Sequence, residues 1–106
     1  MRATASLVTL AALSCPAPAA WPAPTAAGVA QQALAATCAN CHGTQGKAVD
    51  KSEVPGLAGL PAAHLVEQMN AFKSGTRPAT VMHQIAKGYS PAQIEALAQY
   101  FAAQAR

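Results

Sequence analysis

The chain has 106 residues, enough for one small domain, and carries seven Lys+Arg against four Asp+Glu for a formal net charge of +3. Charged residues make up only 10%, which excludes a basic nucleic-acid-binding tail and an acidic disordered segment. Hydrophobic residues reach 52%, yet alanine is the commonest of them and only 5% of the chain is aromatic, so side chains alone make a thin core in a chain this short.

Residues 1–20 read as an export signal. Arg2 is followed by an uncharged, mostly apolar run from Ala3 to Leu13, and Ala17-Pro18-Ala19 is a small-x-small cleavage pattern. Thr25-Ala26-Ala27 is a second such pattern, which brackets cleavage between residues 19 and 30. The apolar run is shorter than the roughly 20 residues that cross a bilayer, so no membrane span is expected. Residues 21–28 then read as a Pro/Ala-rich tether and 29–106 as the folded domain. Cys15 is expected to leave with the signal, lipidation at this position being the alternative. Export predicts a periplasmic location, where thiols oxidise unless they are otherwise used.

Beyond Gly28 the chain alternates helical patterns with Gly/Pro punctuation. The spacing predicts a helix from Val29 to Cys41 ending at Gly43, then an irregular loop from Lys47 to Leu60. Pro61 suits a first helical position, with Leu65, Met69 and Phe72 following on one face and Gly75 as the stop. A second loop, Thr76 to Tyr89, holds a helix-compatible stretch from Val81 to Lys87. Ser90, Pro91 and Gln93 form a capping-box start for the last helix, whose buried stripe is Ile94, Leu97, Ala98 and Phe101. No segment alternates with period two, so the expected fold is all-α: three main helices plus loops.

The chemistry is concentrated in Cys38-Ala39-Asn40-Cys41-His42. Cys-x-x-Cys-His is the attachment motif of c-type haem. Cysteines at this spacing share a helical face, where both sulfurs reach the vinyl groups of one porphyrin, and the histidine presents an imidazole nitrogen to the iron. A zinc site would need two more ligands from His64 and His83, which lie at no finger spacing. A thioredoxin-like redox pair would want a βαβ context. The pattern therefore predicts one haem c, covalent through Cys38 and Cys41, with His42 as the proximal metal ligand.

His42 should donate its second ring nitrogen to a carbonyl, and Pro55 in the following loop is the expected source. For the sixth position, Met82 lies in the second loop, far enough beyond His42 for the chain to fold over the opposite haem face. Met69 instead reads as core filler at helical spacing. A methionine sulfur at the sixth position gives a low-spin iron with a raised reduction potential. His83 is the competing ligand; His64 reads as a surface or packing residue.

Three runs carry a family resemblance: Pro55-Gly-Leu-Ala-Gly-Leu-Pro61, Phe72-Lys-Ser-Gly-Thr-Arg-Pro-Ala-Thr-Val-Met82 and Ile85-Ala-Lys-Gly-Tyr-Ser90. With the haem motif, they make the stretch from Cys38 to Phe101 resemble class I cytochromes c. Within that family they are most similar to cytochrome c4 domains and to the haem subunits of flavocytochrome c sulfide dehydrogenases. The resemblance implies haem-bearing Cys38 and Cys41, axial ligands His42 and Met82, and Pro55 beside the proximal histidine. The chain departs from the pattern at His64, where an aromatic usually stands, and at His83, where a small or polar residue usually follows the methionine.

By this resemblance the expected function is single-electron transfer in the periplasm. The expected partners are an FAD-containing flavoprotein subunit oxidising sulfide and other redox cytochromes. The chain has no dinucleotide-binding fingerprint, so the flavin belongs on another chain. No residue is expected to be catalytic in the acid–base sense, and no catalysis is expected of this chain alone. The alternatives are a free-standing carrier serving an oxidase or reductase, with Lys47, Lys51 and Lys87 steering a partner, and a haem-based gas sensor.

Overall fold

The structure is a computed structural model describing residues 19–106. Cys15 and most of the expected export signal lie outside the described residues. The described residues form five α-helices and two 3₁₀ turns, without strands. The helices are α1 (Ala26–Ala36), α2 (Ala39–His42), α3 (Ala62–Ser74), α4 (Met82–Ile85) and α5 (Pro91–Ala102). The architecture is the all-α arrangement expected, with α1, α3 and α5 as its long members.

α1 begins three residues before the expected start, because Thr25 caps it: its hydroxyl accepts from the Gly28 N–H at 3.1 Å. Ala26, Ala27 and Gly28 are therefore helical rather than tether, and residues 19–25 are non-helical and exposed. At the other end, the single helix expected through Cys41 is broken. Thr37 and Cys38 donate their N–H groups to Leu34 (3.2 Å) and Ala35 (3.1 Å), tightening the last turn to three-residue spacing. The Thr37 hydroxyl also donates to the Leu34 carbonyl at 2.7 Å. The backbone then restarts as α2, which carries Cys41 and His42.

Pro61 caps α3 rather than opening it. Its ψ of 133° is extended, and its carbonyl accepts the first helical bond, from Leu65 at 3.1 Å. Gly75 ends the helix in the left-handed region at φ 81°. In the second loop the helix-compatible stretch resolves into α4 and a 3₁₀ turn over Ala86–Gly88. α5 starts as its sequence predicts: Gln93 N–H donates to Ser90 Oγ at 3.2 Å and Ser90 N–H to Gln93 Oε1 at 2.9 Å, with Pro91 at the first helical position.

α5 packs against both α1 and α3, and its stripe of Ile94, Leu97, Ala98 and Phe101 is buried. Leu97, Ala98 and Phe101 cluster with Ala35 of α1 and Leu65 of α3. Two polar ties hold the layers: Gln31 Nε2 donates to the Ala96 carbonyl at 2.8 Å, and Gly59 N–H to the Phe101 carbonyl at 2.9 Å. The three helices do not close on each other completely. Between α3, α5 and the two loops they leave a cavity.

Candidate haem site

The cavity has a volume of about 470 Å³, inside the range of about 300–1,000 Å³ usual for cofactor sites. Leu57, Leu60, Leu65, Phe72, Leu97 and Phe101 are among the apolar side chains that line it, and Cys38, Cys41 and His42 stand on one wall. The broken helix explains this placement. With α1 stopped at Ala36, the short α2 turns both sulfurs and the imidazole toward the same space.

His42 is 8% exposed, and its Nδ1 lies 2.7 Å from the Pro55 carbonyl oxygen. A carbonyl only accepts, so Nδ1 carries the proton and Nε2 keeps the free lone pair that a metal needs. The loop that delivers Pro55 is anchored from below: the Gly46 carbonyl accepts from the N–H groups of Leu57 (2.8 Å) and Ala58 (3.1 Å). Two glycines permit this close approach. A Cβ on Gly43 would lie 1.9 Å from the Lys47 carbonyl oxygen, and one on Gly46 would lie 2.8 Å from the Phe101 ring.

Met82 is half-buried and lines the same cavity, as do Met69 and Ile85. His83 is not among the cavity-lining residues. Its Nδ1 is instead buried without a hydrogen-bond partner. His64, expected as a surface or packing residue, is exposed and borders the cavity. Among the described residues no group of three or more His, Cys, Asp or Glu side chains is placed to hold a metal ion.

Sequence reasoning missed two polar contributors to this site, Tyr89 and Arg77. The Tyr89 hydroxyl is 2.8 Å from Thr37 Oγ1. Because the Thr37 proton is committed to Leu34, Tyr89 is the donor, and the bond clamps the turn that carries Cys38. The Tyr89 carbonyl accepts from the Lys73 ammonium of α3, so this residue ties three elements together at the cavity edge. The Gly-Tyr-Ser run was visible in the sequence, but its partners lie 52 and 16 residues away. Burial pushes the Cys38 thiol up, against the hydrogen bonding of Thr37 and Tyr89.

An apolar cavity with two cysteines on its wall and a buried, oriented imidazole is a cradle for a covalently held porphyrin. Comparison with known proteins agrees. The family model for cytochrome c matches residues 26–104. The thiosulfate dehydrogenase electron acceptor of Thiomonas intermedia (strain K12) is 40% identical over 101 residues, covering 95% of this chain and 43% of that protein. The cytochrome subunit of sulfide dehydrogenase from Chlorobaculum tepidum is 38% identical over 68 residues, covering 64% of this chain and 60% of that one. Cytochrome c4 of Pseudomonas aeruginosa is 36% identical over 75 residues, covering 71% and 37%. The chain thus spans less than two thirds of the length of each of these relatives. With its helical architecture, its attachment motif and this match, the chain belongs to the cytochrome c family, as a class I cytochrome with covalently bound haem c.

Proposed function

We propose that the chain is a periplasmic monohaem carrier that accepts single electrons from a dehydrogenase oxidising an inorganic sulfur compound, in first place an FAD-containing sulfide dehydrogenase subunit. The carrying observation is that the buried, Pro55-bonded His42 and Met82 line one apolar cavity. In this reading Cys38 and Cys41 attach the haem, and His42 and Met82 are its axial ligands.

The haem, when bound, supplies the one-electron couple. The chain's residues orient and insulate it. Pro55 fixes the His42 ring, and a hydrogen bond of this kind raises imidazole basicity. The apolar lining keeps water from the iron, and a methionine sulfur raises the potential. Among the cavity-lining residues Cys41 is exposed, and Val81 and Ile85 are 55% and 42% exposed, giving partners apolar contacts at which to exchange electrons. Exposed Lys47, Lys51 and Lys87 favour an acidic partner surface.

The sulfur-compound donor is supported by the two relatives whose names tie them to sulfide and thiosulfate dehydrogenases. For the location, the support is the export pattern over positions 1–20. Among the described residues no helix is long and apolar enough to cross a membrane. A free-standing carrier is the second reading, favoured by the likeness to cytochrome c4.

Two measurements test the proposal. The oxidised holoprotein should show the methionine-to-iron charge-transfer band, and Met82→Ala should abolish it; retention of the band in that variant refutes Met82 as ligand. Stopped-flow reduction by sulfide should accelerate at least tenfold when a sulfide dehydrogenase flavoprotein is added. Equal rates with and without it refute the sulfide partner, and acceleration by a thiosulfate dehydrogenase alone moves the donor to thiosulfate.

A further inference from the structure

A second hollow, of about 370 Å³, opens beside the loop that carries Pro55. Gly46, Ala48, Gly56 and Ala58 form much of its lining, and Lys47 and Arg106 are its charged members; no Asp or Glu side chain lines it. Two like charges around one hollow repel each other unless an anion stands between them.

The two arginines that border hollows are held in different ways. Arg77, at the haem cavity, lies over the Phe72 ring with Cζ 4.5 Å from the centroid, and its Nη1 donates to the side-chain oxygen of Gln68. Arg106 is seated on bare backbone. Gly59 has φ 68°, and a Cβ there would lie 2.7 Å from Arg106 Cγ and 3.2 Å from its Nε. Nη2 donates to the Gly59 carbonyl at 3.3 Å. The stem is thus fixed by one turn, and the rest of the five N–H donors stay available to a ligand.

The backbone adds donors of its own. The N–H groups of Ala48 and Gly56 donate to no backbone acceptor among the described residues. They belong to one tight spot, since a Cβ on Gly56 would lie 3.5 Å from the Ala48 nitrogen and 3.1 Å from the Gly46 carbonyl oxygen. Glycine at 56 keeps that space open. A cationic fork, an ammonium and free amide N–H groups around a small open space are the donor set of an oxyanion site.

We propose that this hollow binds a divalent tetrahedral oxyanion, of the class of sulfate, thiosulfate and phosphate, through Lys47, Arg106 and the N–H groups of Ala48 and Gly56. Two positive charges match a dianion, and the volume leaves room for part of its hydration water. The site is independent of which protein supplies electrons to the haem.

The test is a titration of the reduced holoprotein with sodium sulfate, thiosulfate and phosphate, followed through backbone amide NMR resonances. The Ala48 and Gly56 resonances should shift saturably, and chloride at matched ionic strength should not reproduce the shift. Whichever of the three anions saturates at the lowest concentration identifies the ligand within the class. Lys47→Gln and Arg106→Gln should each weaken binding about tenfold. Lys87→Gln removes the same charge from an exposed side chain outside the hollow and should leave binding unchanged. Unaltered resonances away from the hollow show that the variants are folded. Equal responses to sulfate and chloride overturn the proposal by reducing the effect to screening. Equal losses in Arg106→Gln and Lys87→Gln overturn it as well, by making it a matter of net charge.

Discussion

The two walls of the haem cavity are built to different standards. On the His42 side every link is bonded or tightly packed: the imidazole on Pro55, the Pro55 loop on the Gly46 carbonyl, Gly46 under the Phe101 ring. On the Met82 side, the four-residue α4 has no side-chain cap and buries none of its residues. There Val81 and Ile85 face solvent, and the His83 Nδ1 is unpartnered. The His42 side is thus tied into the core, whereas the Met82 side hangs on a short, exposed segment. A wall that supports the core has no slack for substitution. The side that carries Met82 is held by one loop and tolerates change at lower energetic cost.

The largest expected break in this contrast is at the aromatic residues. Phe101→Ala should destabilise the holoprotein by about 3–5 kcal/mol, because Phe101 is 3% exposed and underpins the His42 wall. Phe72→Ala on the other wall removes a half-buried ring and should cost clearly less. Chemical denaturation of both variants checks the ranking, and equal losses would mean the walls are equivalent.

The next contrast uses one substitution at two places. Gly46→Ala meets the Phe101 ring at 2.8 Å and the Ala58 nitrogen at 2.9 Å, with φ at 76°, so it should destabilise by about 2–4 kcal/mol. Gly75→Ala has φ 81° but nothing within 4 Å, leaving only the backbone term of about 1–2 kcal/mol. Melting temperatures of the pair separate the two contributions. A smaller loss at Gly46 than at Gly75 would show that the His42 wall yields.

The smallest effect sharpens the comparison at the seam between the walls. Tyr89→Phe keeps the ring and removes the hydroxyl that donates to Thr37, an expected loss of about 0.5–1.5 kcal/mol. Combining it with Thr37→Val in a double-mutant cycle should give a non-additive loss. Strict additivity would mean that the bond contributes nothing to the clamp on Cys38.

How much was legible in advance followed the range of the interactions. The start of α5 could be read because its capping box is complete within one helical turn. The stop of α3 could be read because Gly75 alone satisfies a left-handed turn. The break between α1 and α2 could not. Good helix formers run without interruption from Val29 to Cys41, and the turn is held by Tyr89, 52 residues away. Arg77 was likewise unreadable as a site residue, since its place depends on Phe72 and Gln68 across the end of α3.

The class of this protein is written locally: an all-α fold over the described residues, one haem c attached through Cys38 and Cys41, and His42 beside them. Those features are local, written in a single short motif and in helix periodicity. Tertiary structure decided which neighbour faces the cavity. Met82 and His83 are adjacent in sequence and both chemically able to bind iron, yet Met82 lines the cavity and His83 does not. That choice depends on the phase of one helical turn packed against α3, which no local pattern specifies. The scarcity of aromatic residues acquires its meaning at the same level. The space that alanine leaves open is the cavity, and its shape exists only once α1, α3 and α5 have packed.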